Sequence, residues 1–106
     1  MKTEIFETNA GGLIAIVRDE GKVTNIVTGL EAENVIYHDF INAARWGFED
    51  ADTYDPDDFS GLDIDAAAAE IENSTELVAE ITPDRIELDV RSMGIAAKKL
   101  FCIDVD

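Results

Sequence analysis

The sequence predicts an α+β domain in which an antiparallel β-sheet flanks two central helices. Three observations predict it. β-branched, apolar runs bounded by turn residues fill the first thirty positions, an apolar stripe at three- and four-residue spacing follows, and period-two alternation returns in the last third. With 106 residues, 46% of them hydrophobic, the chain reads as one domain spanning 1–106 with enough apolar material for a packed core.

The first thirty residues read as a three-stranded meander. Thr3 to Thr8 alternates, and Asn9-Ala10-Gly11-Gly12 is a turn signal. Leu13-Ile14-Ala15-Ile16-Val17 is apolar on both faces, which suits a central strand. Asp19-Glu20-Gly21 turns the chain into Lys22–Thr28, rich in Val, Thr and Ile, and Gly29 closes the run.

A helix is expected from Glu33 to Trp46. Ile36, Phe40, Ala43 and Ala44 recur at helical spacing, and Val35 and Ile41 widen the stripe. Asn34 can cap its start, Glu31 and Glu33 suit the positive end of its dipole, and Gly47 suits a left-handed end. Residues 48–62 then form an acidic loop. Ser60 with Asp63 resembles a capping box, which opens a second helix over Asp63–Asn73 with its four consecutive alanines.

In the last third, Leu77, Ala79 and Ile81 are expected on one face and Ile86, Leu88 and Val90 on one face, joined by the turn Thr82-Pro83-Asp84-Arg85. That register sets Ile81 opposite Ile86, Ala79 opposite Leu88, Leu77 opposite Val90, and Glu80 opposite Glu87, an unfavourable pair. A final strand over Ile95–Val105 would bring Lys98 to relieve it. A helix over Thr75–Ile81 is the alternative reading of that segment.

Charge is the most informative feature. Against 24 Asp and Glu stand 8 Lys and Arg, a formal net charge of -16. Such a surface argues against direct binding of nucleic acid or of anionic membranes, both of which need Lys and Arg. No apolar stretch approaches a membrane span and the first residues do not lead into a signal-peptide core, so the expected compartment is the cytoplasm.

The acids are unevenly spread. From Trp46 to Asp84 there is no Lys or Arg, and the densest part holds Glu49, Asp50, Asp52, Asp55, Asp57, Asp58, Asp63 and Asp65. Like charges this close repel, so the stretch is either a solvated, solubilising loop or an anionic surface for a basic groove. DNA carries one charge per ~1.7 Å of axis, and closely spaced carboxylates can compete for the same Lys and Arg side chains. Phe48, Tyr54 and Phe59 interrupt the run. Phe48 and Phe59 suit pinning the loop to the core, whereas Tyr54, if exposed, suits an interface anchor.

The known chemistries of such residues do not fit. An EF-hand loop begun at Asp55 puts Phe59 and Ser60 at its fifth and sixth positions, and one begun at Asp50 puts Tyr54 at its fifth, so no metal is expected. His38 is the only histidine and Cys102 the only cysteine, so neither a zinc site nor a disulfide forms within the chain, and a Cys-His nucleophile pair is unsupported. Gly11-Gly12 matches no phosphate-binding glycine pattern. The reading is a protein that is not an enzyme and needs no cofactor.

Phe40-Ile41-Asn42-Ala43, then Gly47-Phe48, then acids leading to Phe59, resemble small acidic proteins of phages and mobile elements, among them anti-CRISPR inhibitors of CRISPR nucleases. The resemblance spans residues 13 to 65. It implies a non-catalytic DNA mimic in which Asp52, Asp55, Asp57 and Asp58 occupy the duplex-binding cleft of a nuclease. The expected partner is therefore a basic protein surface, a nucleic-acid-binding groove in particular. The rival expectation is an accessory or oligomerising domain whose acids only keep it soluble, with an apolar edge near 95–105 as its working surface. A third, adaptation to high salt, fits the acidity but suits a chain with twelve isoleucines poorly. The sequence leaves the oligomeric state open.

Overall fold

The computed structural model describes residues 1–30, 37–48 and 60–101. Five strands form one antiparallel sheet: β1 (Lys2–Glu7), β2 (Leu13–Asp19), β3 (Lys22–Leu30), β4 (Glu76–Ile81) and β5 (Ile86–Leu88). Their spatial order is β3-β2-β1-β4-β5, so the expected meander is present and the C-terminal hairpin extends it on the free edge of β1. Helices α1 (Tyr37–Arg45), α2 (Ile64–Ser74) and α3 (Ile95–Leu100) complete an α+β fold.

Alternation along the strands explains why both faces need covering. In β2, Leu13, Ala15 and Val17 pack on one side with Phe40, Ile41 and Ala44 of α1 and with Ala97 and Leu100 of α3. Ile16 packs on the other side with Phe6, Ile26 and the small face of α2, Ala67, Ala68 and Ile71. A strand apolar on both faces is what a sheet between two helical layers requires.

Helix α1 ends at Arg45, and Gly47 follows at φ +70, the left-handed residue that the sequence suggested. Phe48 is buried with its ring centred 5.9 Å from that of Phe40, which in turn lies 5.8 Å from Phe101. The expected start of this helix and its cap at Asn34 lie outside the described residues, as does Phe59.

Four expectations need correction. Ile95–Leu100 is helix, not strand: Ala96, Ala97, Lys98, Lys99 and Leu100 are strong helix formers, and Ala97, Leu100 and Phe101 share a buried face at helical spacing. Residues 102–106 of the expected strand lie outside the described residues. Leu77 does not share a face with Ala79 and Ile81. The β1–β4 ladder pairs Ile5 with Ala79 and Phe6 with Leu77, leaving Val78 as an extra residue that flips Leu77 to the α2 side.

The hairpin register holds for Ile81–Ile86, Glu80–Glu87 and Ala79–Leu88, but Leu77 and Val90 do not pair. The Asp89 N–H donates to the Val78 carbonyl, Ser92 Oγ donates to Asp89 Oδ2 at 2.9 Å, and Val90–Ser92 winds into one 3-10 turn. Finally, α2 begins at Ile64, within one residue of the expected Asp63, but Ser60 does not cap it. Asp63 itself is the cap, its Oδ1 accepting from the Ala66 N–H at 2.8 Å, while Ser60 and Gly61 turn at φ 56 and 79. The segment 76–81 is strand, which settles its helical alternative.

Candidate functional site

The acidic segment enters the described structure only at its end. Glu49, Asp50, Asp52, Tyr54, Asp55, Asp57 and Asp58 lie outside the described residues. Asp63 and Asp65 are placed, both exposed, at the first turn of α2, where the positive end of the helix dipole favours carboxylates. Glu70 continues this exposed side, and α2 has no basic residue in its last turn. Among the described residues, no Lys or Arg pairs with Asp63, Asp65 or Glu70.

The cations of this side are already engaged on the sheet. Cross-strand pairing sets Glu4 opposite Glu80 and Glu80 opposite Glu87, a row of carboxylates across β1, β4 and β5. Lys2 Nζ lies 3.9 Å from Glu4 and 3.6 Å from Glu80, and Arg85 pairs with Glu87. The Glu80–Glu87 repulsion is thus relieved by Lys2 and Arg85, not by Lys98.

Arg18 is the brace between this row and α2. Its Nε donates to Glu4 Oε1 at 2.6 Å, and its terminal nitrogen pairs with Glu72 of α2. Glu4 is only 8% exposed, so the contact satisfies a carboxylate that burial would otherwise penalise. The hydrogen bond to Glu4 foremost, with the charges of Glu4 and Glu72, holds the guanidinium above its ordinary value against the opposing effect of burial.

Sequence reasoning missed a second pair of carboxylates. Glu7 faces Glu76 across β1 and β4 beside a cavity of about 510 Å³, which Ser92 and Gly94 also line. Glu7 is 9% exposed, and its Oε1 accepts from the Gly94 N–H at 2.6 Å, so it fixes the entry to α3. The only signal in the sequence was an acid at the end of an apolar alternation, which reads equally well as solvent-facing. Among the described residues, no three His, Cys, Asp or Glu side chains converge as metal ligands.

The fold and surface thus define an α+β sandwich with an under-neutralised acidic helix on one side. No protein-family model matches the chain, and neither a curated protein nor a solved structure matches it.

Proposed function

We propose that the chain is a non-catalytic acidic binding protein whose segment 49–65 engages a basic protein surface by imitating DNA, with the nucleic-acid groove of a CRISPR nuclease as the target class and a phage or mobile element as the setting. Asp52, Asp55, Asp57 and Asp58 supply charge and Tyr54 an anchor, with Glu49, Asp50, Asp63 and Asp65 extending the anionic surface. One observation carries the reading: the chain has no Lys or Arg from Trp46 to Asp84, and Asp63, Asp65 and Glu70 have no basic partner among the described residues. Charge left unpaired inside the molecule is available to a partner and drives encounter, so binding weakens with salt.

The test is capture of partners from a lysate at low and high salt by wild type and by an Asp55/Asp57/Asp58→Asn variant. Retention of a nucleic-acid-binding protein by wild type alone, lost at high salt, supports the reading. Equal retention by both proteins at both salts overturns it.

A second reading has its own observation. Leu88 in β5, Val90 in the 3-10 turn and Ile95 at the start of α3 are 40%, 46% and 64% exposed. An accessory or oligomerising role for this apolar surface, with the acids serving solubility, predicts that Ile95→Lys abolishes association while the Asp→Asn variant retains it.

A further inference from the structure

We infer that α2 is a cover that opens from the sheet as one unit, with the Arg18–Glu72 pair as its ionic catch. The two helical layers are unequally anchored. On the α1/α3 side, large side chains interlock: Phe40, Phe48, Phe101, Leu100 and Met93 meet Ile5, Leu13, Val17, Val78 and Ile81. On the other side, α2 offers chiefly Ala67, Ala68 and Ile71, with Leu62 and Ile64 only partly buried. These small side chains let α2 lie close on β3, but each of them buries little apolar area.

Both ends of α2 are suited to hinge. Thr75 alone separates α2 from β4, and its N–H and hydroxyl both donate to the Ile71 carbonyl, so this end can move with the helix. The other end leaves Asp63 through the Ser60–Gly61 turn. The sheet does not depend on α2 for its ladder, since β1 is paired on both sides by β2 and β4. Glu72 is the α2 residue ion-paired to the sheet among the described residues, and Arg18 keeps Glu4 when the catch releases.

Opening would carry Asp63 and Asp65 away with α2 and bare Phe6, Ile16 and Ile26. The consequence for a cationic partner, which would compete with Arg18 for Glu72, rests on the proposed function. The opening itself does not, and it is measured on the free protein.

Hydrogen exchange followed by mass spectrometry tests the inference. Amides of residues 67–75 should exchange about 10-fold or more faster than those of β1 and β2, without global unfolding. Glu72→Gln should speed exchange in α2 roughly two- to five-fold, the range of an exposed ion pair, and leave the sheet unchanged. Salt at ~0.5 M should speed wild-type α2 but add nothing to the variant. Glu70→Gln, which removes a carboxylate without a basic partner, should not speed it. Exchange of α2 and sheet at one common rate overturns the opening unit, and an α2 rate unmoved by Glu72→Gln overturns the catch.

Discussion

The hydroxyl of Thr3, fully buried in β1, donates to the carbonyl of Ala44 in the last turn of α1 at 2.7 Å. This bond fixes the distance and rotation of α1 on the sheet at a point where β-strand and helix backbones approach through a small side chain. Thr3→Val keeps the shape and removes the donor. The expected cost is about 1 kcal/mol, because the Ala44 carbonyl still accepts from the Gly47 N–H. Urea unfolding measures it, and an unchanged midpoint would show that the bond contributes nothing net.

Arg18→Met should be the most damaging single change among the ion pairs of the α2 side. It takes from Glu4, a nearly buried carboxylate, its hydrogen bond and leaves it only Lys2 at 3.9 Å, and it loses Glu72, for a cost of about 2–3 kcal/mol. Glu4→Gln in that background should restore part of the loss, giving a coupling energy that a double-mutant cycle reads directly.

Because the guanidinium is held above its ordinary value, its contribution to stability is fully present below the unfolded-state value and lost only as pH rises through the folded one. The brace therefore adds no pH dependence between about pH 6 and 9. Comparing urea midpoints of wild type and Arg18→Met across that window should give a constant difference; a difference that grows or shrinks would assign the link to another titrating group.

Asp63→Ala should destabilise by about 1 kcal/mol through loss of the α2 cap, whereas Ser60→Ala should cost under ~0.5 kcal/mol. Thermal unfolding of the two variants separates the observed cap from the one the sequence suggested.

Gly94→Ala should cost about 1–3 kcal/mol. A Cβ there would lie 2.6 Å from Glu7 Oε2, and Glu7 cannot swing away without releasing the Gly94 N–H. A stability equal to wild type would mean that the entry to α3 is looser than this contact implies.

Strand and turn chemistry were legible in the sequence where local pattern and burial agree. The run Leu13–Val17 announced a strand covered on both faces, and the Thr82–Arg85 turn set the hairpin register for the three pairs nearest to it. Legibility ended where a single residue changes phase. Val78 is apolar like its neighbours, so nothing local marks it as the bulge that sends Leu77 to the other core. The segment after Gly94 satisfied strand and helix periods alike through Ala97 and Phe101, and the helix propensity of Ala96–Leu100 together with packing against Phe40 decides for helix. Of the acidic surface, the sequence located the charge but not its pairing: that Lys2 and Arg18 are drawn inward to Glu80, Glu4 and Glu72 depends on strand order, which composition cannot state.

Strand order also has a kinetic consequence. β1 lies at the middle of the sheet, yet one of its partners, β2, follows it at once, whereas the other, β4, pairs Thr3 with Ile81 from the far part of the chain. During synthesis the β1–β3 meander can assemble early, but its central edge, flanked by Glu4 and Glu7, must wait for the ribosome to release β4. Two carboxylates on that waiting edge repel a second nascent meander, so the acids that burden the finished sheet would guard the unfinished one against pairing with a stranger.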